Sequence, residues 1–466
     1  MLKNIKELFY HQDFKNANIP IEDIKQYNIG RSRIAKKNIC NAPNNSLYFG
    51  LGGKVNVCCY SKYFAIENIK NKTINEIWFG KKMDAFREEV GDYKLNTQCL
   101  ECKVKFKEKN YDTIYAKKYD QYVRKNKKYP SLIEFELDNT CNLECEMCNG
   151  VFSSAIRKNR EKLPPLISPY GKDFLKQLEE YLPHVEQANF LGGEPFLINI
   201  YLDIWEKIIE INPKITIYVQ TNCTVLNNRV KNILKRLNFS FGISIDSFEK
   251  ETYEFIRKNA NFEKVMSNFE WFKNYSKQNN AFLGVSICAM PQNWKEIPKM
   301  IEKCNNENIS IYFNTVRNPE NMSFYNLNYK ETSEILKEYQ ETKIANKTKI
   351  EKNNFKAFQS LINILSTQKH IKYKNNNANI SYSDFTKIIK KTVIDSNNYK
   401  KESVELLKNN FNIFEQEFIE DELNFFCSKI TKFDLKMNMD KIAFNILNTK
   451  IDVLIAEMKI KLSNAK

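Results

Sequence analysis

Between residues 131 and 318, strand-like and helix-like segments alternate, and that alternation limits what the chain can fold into more than any other feature. The strand-like runs are SLIEFELD (131–138), VEQANFLG (185–192), KITIYVQT (214–221), FSFGISID (239–246), AFLGVSIC (281–288) and NISIYFNT (308–315). Helix-like segments separate them at Lys172–Leu182, Ile200–Ile211, Asn227–Leu237, Phe262–Lys277 and Trp294–Asn305. Six strands interleaved with helices define βαβ units, a parallel sheet and right-handed crossovers. The expected fold class is α/β, an open or partial (β/α)6 barrel. In such folds the chemistry sits at the C-terminal ends of the strands.

Just past the first of these strands comes Asp138-Asn-Thr-Cys141-Asn-Leu-Glu-Cys145-Glu-Met-Cys148, a C-x3-C-x2-C spacing. Three thiols this close together can wrap one face of a small metal cluster. Iron–sulfur cubanes are normally held by four thiolates, so three leave one iron open to a substrate or cofactor. Structural zinc wants four closed ligands, and the chain has only three histidines, His11, His184 and His370. In a reducing compartment, clustered cysteines bind metal or do redox chemistry more often than they pair as disulfides.

A C-x3-C-x2-C loop after the first strand of a (β/α)6 array resembles the radical S-adenosylmethionine (SAM) superfamily. The resemblance implies that Cys141, Cys145 and Cys148 hold a [4Fe–4S] cluster whose fourth iron is chelated by SAM. It implies that one electron from the reduced cluster cleaves SAM to methionine and a 5′-deoxyadenosyl radical, which abstracts hydrogen from substrate. Phe190-Leu-Gly192-Gly193-Glu194-Pro195 closes the second strand and resembles the family's GGEP motif, whose backbone receives the SAM amino group. Glycines permit close backbone approach there, and proline stiffens the turn. Thr221-Asn222 ends the third strand where the family often has TNG; here Cys223 replaces the glycine. By the same resemblance Ser244 and Arg257 hold the SAM carboxylate, and Asp246 serves the ribose or caps the following turn. Met147 falls where the family packs a residue near adenine, and a plain hydrophobic role fits it equally. Cys288, at the end of the fifth strand, is either a small buried residue or a hydrogen-atom donor at the mouth of the site.

The N-terminal region carries a second set of cysteines. Cys40 precedes a strand-like Ser46–Leu51, the turn Gly52-Gly53 and a second run ending in Cys58-Cys59, so a β-hairpin brings Cys40 and Cys58 together. A turn into an amphipathic helix running past Arg87 follows, and Cys99-Leu-Glu-Cys102 closes the unit. Four converging thiolates suit zinc or an iron–sulfur cluster. The pattern C-x12-G-x4-C, the TI-EIW helix and the final CxxC resemble the SPASM/twitch auxiliary-cluster domains, placed here before the barrel rather than after it. This implies one auxiliary [4Fe–4S] cluster on Cys40, Cys58, Cys99 and Cys102, with Cys59 the alternate for Cys58. Four thiolates close that cluster, so its expected role is electron transfer or structural support.

Composition sets the frame. The 466 residues are 42% hydrophobic and carry a net charge of +16, without an arginine-rich tract or a nucleic-acid motif. No apolar run approaches the ~18 residues a membrane span needs, and MLKNIKELFYHQDF is broken by charges before a signal-peptide core can form. A soluble cytoplasmic protein without membrane or nucleic-acid partners is expected. Four segments are expected: the auxiliary-cluster domain at 1–110 (hairpin plus helix), a linker at 111–130, the barrel at 131–318, and a helical C-terminal region at 319–466. The expected function is radical SAM chemistry on a peptide or protein, with a sugar or other small metabolite as the second substrate class. The resemblance implies an electron donor such as flavodoxin or ferredoxin. The rival from another class is a non-catalytic iron–sulfur or zinc scaffold that binds nucleic acid.

Overall fold

The computed structural model describes residues 19–423, apart from 62–64, 96, 108, 110, 123–127, 377–381, 384, 388–390, 392–400, 419 and 421, together with 455 and 459. His11, Cys427, Val453 and Leu454 lie outside the described residues. One compact unit is Asn18–Leu365, and residues from Ser366 onward belong to another.

The N-terminal region supplies β1 (Ser46–Phe49), β2 (Lys54–Asn56) and β3 (Glu67–Asn68). The alternating region supplies β4 (Leu132–Phe135), β5 (Gln187–Phe190), β6 (Thr216–Thr221), β7 (Asn238–Ser244), β8 (Leu283–Ala289) and β9 (Ser310–Thr315). All six fall within the strand-like runs, give or take a residue. They make one sheet in the order β3-β2-β1-β4-β5-β6-β7-β8-β9. From β4 to β9 every pairing is parallel. The result is the α/β half-barrel that the alternation predicts, with helices between the strands.

The hairpin does not stand apart from this sheet. β1 lies parallel to β4, from Ser46 opposite Leu132 to Phe49 opposite Phe135, while β2 and β3 add on antiparallel. Phe49 stacks on Phe135 and meets Phe174 edge-on. Residues 1–110 are expected as a separate domain and 111–130 as a linker, but Tyr119 and Tyr122 of the latter are buried in the same core. Hairpin and barrel therefore share one sheet, and the supposed linker shares their interior.

Packing explains which face of the sheet is which. Phe190 meets Tyr201 and Trp205 of helix Asn199–Ile211, and Phe241 meets Phe272 and Tyr275 of helix Phe262–Gln278. A fully buried ring of this size contributes about 2–3 kcal/mol. The period of two then turns Glu134, Asn189, Tyr218, Gln220, Ser244 and Ser286 to the opposite, inner face. Asparagine and serine side chains set the helix starts: Ser153, Asn227 and Asn261 accept from Ile156, Val230 and Lys264 N–H groups. The helix expected to run past Arg87 is two helices, Ile74–Trp78 and Lys81–Gly91, broken at Phe79-Gly80. A Cβ on Gly80 would sit 2.3 Å from the Glu76 carbonyl.

After the barrel, helix Tyr329–Glu341 begins with an Asn328/Glu331 capping box. Helix Lys349–Asn376 follows. Its fully buried Asn354 accepts from Ile311 N–H at 2.8 Å and donates to the Ile309 carbonyl at 2.9 Å, satisfying the outer edge of β9. In the second unit, helix Lys401–Glu417 buries Leu407, Phe411 and Phe414. Among the described residues no helix is long and apolar enough to cross a membrane.

Candidate functional site

The chain leaves β4 through Glu136-Leu-Asp138 into the three-cysteine loop. Asp138 accepts from both the N–H and the hydroxyl of Thr140 at 2.7 Å, and Asn139 donates to the Gly150 carbonyl at 2.9 Å. Ser154, at the start of the next helix, accepts from Cys141 N–H at 3.1 Å. These bonds hold Cys141, Cys145 and Cys148 at the C-terminal end of the first barrel strand, where the topology puts chemistry. Burial pushes the Cys141 thiol up to about 11 and the Cys145 thiol up to about 12. Cys148 adds to both, while Arg257 works against the shift at Cys145. A metal binding here displaces thiol protons.

The Gly-Gly turn presses directly on this loop. Gly192 has φ +79° and Gly193 has φ +41°. A Cβ on Gly192 would lie 2.8 Å from Glu136 Cγ, and one on Gly193 would lie 2.2 Å from the Thr140 carbonyl oxygen. The next N–H, that of Glu194, donates to the same Thr140 carbonyl at 2.8 Å. The Glu194 carboxylate is fully buried and accepts from Thr221 Oγ1, Phe196 N–H and Asn222 N–H. Burial pushes it up to about 7 despite these donors. Glu194 thus ties β5 to the end of β6 from inside, while Gly192 and Gly193 are only half-buried. Pro195 is buried beside it, opening the short 3-10 turn Pro195–Leu197.

Asn222, which sequence reasoning placed at the end of the third strand without giving it a role, turns its amide toward the Cys141 sulfur at 3.8 Å and to Asn142 Oδ1 at 3.2 Å. Cys223 adopts φ +65°, the backbone conformation its usual glycine would take, with its sulfur buried toward the Val265 carbonyl. The departure from glycine therefore preserves the turn.

Ser244 is half-buried on the inner face and accepts from Gln220 Nε2 at 2.8 Å. Asp246 is placed differently from either expectation. It is fully buried, with Oδ2 2.9 Å from Arg257 Nε and Oδ1 accepting from Cys288 N–H at 2.6 Å. A carboxylate with no exposed surface has no face for a ribose, and the partners of its oxygens are Cys288 N–H and Arg257 rather than an N–H of the following turn. Cys288, partly buried, packs with Met147 against Ile256, Met290, Val316 and Met322.

The N-terminal cysteines also come together. Cys40, Cys58, Cys99 and Cys102 line one pocket, whose wall includes Tyr60, Tyr115 and Tyr119. Cys59 is not part of that lining; its N–H faces Glu134 Oε2 of β4 at 3.3 Å. Ala42 N–H points at Cys40 Sγ at 3.4 Å, and backbone N–H groups of Ala116 and Tyr115 point at Cys102. Burial pushes all four thiols up, Cys102 to about 12, and at each of Cys40, Cys99 and Cys102 the other thiols of the set add to it. Tyr60 and Tyr115 stack at 3.6 Å. Tyr119 donates to Glu134 Oε2 at 2.9 Å, and Lys118 lies 2.5 Å from Glu134 Oε1. The pocket wall is thereby joined to the inner face of the barrel. Tyr115, Tyr119 and Tyr122 follow helical spacing, the one sequence signal that residues 111–130 pack rather than link.

The donor sets fit iron–sulfur clusters. The four N-terminal thiols surround a hollow, and Cys40, Cys58 and Cys102 receive N–H···S bonds of the kind that tune cluster potentials. The three-thiol loop would leave one iron of a cubane without a protein ligand, and the half-buried Gly192–Gly193 turn packs against that loop.

Comparison with known proteins agrees with this chemistry. Residues 136–304 match the radical SAM superfamily, and residues 40–103 match the SPASM iron-sulfur cluster-binding domain. A cysteine-type anaerobic sulfatase-maturating enzyme of Clostridium novyi is 30% identical over 158 residues, covering 30% of this chain and 40% of the relative. A GTP 3′,8-cyclase of Limosilactobacillus fermentum is 29% identical over 158 residues, covering 32% and 42%. The solved structure of native anSMEcpe with bound AdoMet is 21% identical with a TM-score of 0.36, covering 44% of this chain and 59% of that one. The chain spans less than half the length of the curated relatives it matches. By domain content this chain carries a radical SAM domain with a SPASM domain ahead of it, and those domains imply SAM and [4Fe–4S] clusters as cofactors.

Proposed function

We propose that this chain reductively cleaves SAM and initiates hydrogen abstraction on a peptide or protein. The supporting observation is the convergence of the three-cysteine loop, the Gly192–Gly193 backbone and Asn222 at the C-terminal ends of β4, β5 and β6. Cys141, Cys145 and Cys148 would hold the SAM-binding cluster. When bound, cluster and SAM together supply a 5′-deoxyadenosyl radical that abstracts a hydrogen atom.

The chain's own residues position and shield. The Gly192–Gly193 backbone receives the SAM amino group, with Glu194 and Pro195 fixing the turn from beneath. Ser244 and the terminal nitrogens of Arg257 take the carboxylate, where a guanidinium fork fits; Asp246 orients that guanidinium through Nε. Cys40, Cys58, Cys99 and Cys102 would hold the auxiliary cluster, closed by four thiolates and so suited to electron transfer or support. A flavodoxin or ferredoxin is the electron donor, and the cytoplasm is the proposed compartment.

A relative named for maturing sulfatases favours a protein or peptide substrate, and one named as a GTP cyclase favours a small metabolite. Fractionated cell extract separates the two. The peptide fraction is expected to raise 5′-deoxyadenosine yield above the substrate-free level, and protease treatment to remove the increase. An increase confined to the small-metabolite fraction, or one that survives protease, would contradict the peptide reading.

A further inference from the structure

Alternation along β6 sends Ile217 and Val219 to the helix-covered face and leaves Tyr218 and Gln220 half-buried on the inner one. There they form a short chain of hydrogen bonds that ends on β7. Tyr218 Oη donates to Gln220 Oε1 at 2.9 Å, and Gln220 Nε2 donates to Ser244 Oγ at 2.8 Å. A glycine makes room for the chain. Gly242 is the register partner of Gln220, and a Cβ there would lie 2.1 Å from the Tyr218 hydroxyl and 2.3 Å from Gln220 Oε1. The hydrogen that Gly242 carries in place of a side chain therefore points at two oxygens. An amide oxygen accepts such a C–H, whereas an NH2 group in its place would meet it hydrogen to hydrogen.

The direction of each bond follows. Burial pushes the Tyr218 phenol up to about 12, so it keeps its proton. Among the described residues Gln220 is its only hydrogen-bond partner, so that proton goes to Oε1 and the NH2 of the amide turns to Ser244. An amide nitrogen can only donate. Ser244 Oγ therefore accepts from Gln220, and its own O–H points elsewhere. Among the described residues that O–H has no acceptor. The hydroxyl is thus held as a donor facing the inner side of the barrel.

We propose that Gln220 is a positioning residue for SAM, holding the Ser244 hydroxyl as a hydrogen-bond donor to the SAM carboxylate. Both oxygens of a carboxylate only accept, so a serine can serve it only as a donor. Gln220 occupies the Ser244 lone pair and leaves the hydrogen for the ligand. The assignment rests on the reading in which Ser244 takes the SAM carboxylate. It adds what fixes the direction of that hydroxyl, and why β7 carries a glycine opposite Gln220.

The test reads SAM affinity rather than turnover. Wild type and variants are reconstituted as full chains and titrated with SAM by anaerobic calorimetry, without a reductant, so that SAM binds uncleaved. At about pH 8 a glutamate side chain is ionised. Gln220→Glu therefore keeps the shape and the bond from Tyr218, but it accepts the Ser244 hydrogen and turns it away from SAM. SAM affinity falls by about tenfold or more, the worth of a hydrogen bond to a charged group. Gln220→Leu frees the hydroxyl without reversing it and costs less. Ser244→Ala completes a double-mutant cycle. In that background the Gln220→Glu penalty shrinks several-fold, because only repulsion between the two carboxylates is left. A penalty of equal size with and without the Ser244 hydroxyl overturns the proposal, as does a Gln220→Leu loss larger than that of Gln220→Glu. A wild-type protein that does not bind SAM contradicts the functional reading itself, and wild-type affinity in Ser244→Ala contradicts its placement of the carboxylate; either result removes the proposal as well.

Discussion

Gly193→Ala is expected to abolish SAM turnover and strip iron from the three-cysteine loop. The added Cβ would lie 2.2 Å from the Thr140 carbonyl oxygen and 2.9 Å from Asn139 C, both backbone atoms that cannot swing aside as a side-chain tip could. Thr140 immediately precedes Cys141, and its carbonyl also accepts the Glu194 N–H. Relief of the clash must therefore move the cysteine loop off the end of β5. Overpacking costs about 1–3 kcal/mol and a left-handed backbone about 1–2 kcal/mol more, so stability falls too, by roughly 2–5 kcal/mol. Gly171→Ala is the matched control, since its Cβ would meet nothing within 4 Å and its φ is not left-handed. Iron content and 5′-deoxyadenosine yield at wild-type level in Gly193→Ala would show that the turn does not brace the loop.

The second large effect concerns the buried pair behind the site. Arg257→Leu leaves Asp246 without its partner in a fully enclosed position. Breaking such a pair costs about 3–5 kcal/mol, visible as a lowered urea midpoint. Asp246→Asn added to Arg257→Leu removes the stranded charge while keeping an acceptor for the Cys288 N–H, and most of the loss is recovered. The deficit also depends on pH. Burial already holds Asp246 above the ordinary carboxylate value against the pull of Arg257, and loss of the guanidinium raises it further. A carboxyl whose folded pKa is raised binds its proton first in the folded state, so the deficit is smallest near pH 4, the ordinary carboxylate range, and grows toward neutrality. A deficit independent of pH, or one the double variant does not reduce, would mean that packing rather than charge dominates.

The half-barrel and both cysteine sets are legible in the sequence because their signals are local. Alternating apolar runs report strand and helix one element at a time. In a chain with only three histidines, C-x3-C-x2-C and a terminal CxxC point to thiolate-held clusters over mixed-ligand zinc sites. What the sequence hides depends on long-range pairing. β1 joins β4 across more than 80 residues, and nothing in SLYF distinguishes a free hairpin strand from one that completes a neighbouring sheet. Tyr119 and Lys118 are hidden for the same reason: their partner, Glu134, lies on a strand whose inner face is known only once the register is known. Asp246 reads as a polar residue at a strand end. Only side-chain geometry shows that it is enclosed as an ion pair with Arg257 and accepts the Cys288 N–H.

The most direct test of the central claim is anaerobic reconstitution with iron and sulfide, followed by SAM and dithionite, with 5′-deoxyadenosine as the readout. The Cys141/Cys145/Cys148→Ala triple variant is the control. Formation of 5′-deoxyadenosine by the wild type, its absence from the triple variant, and loss of about four irons per chain in that variant, one cubane's worth, is the predicted result. Zinc in place of iron, or 5′-deoxyadenosine formed equally by both proteins, would contradict the assignment of the loop as the SAM-cleaving site.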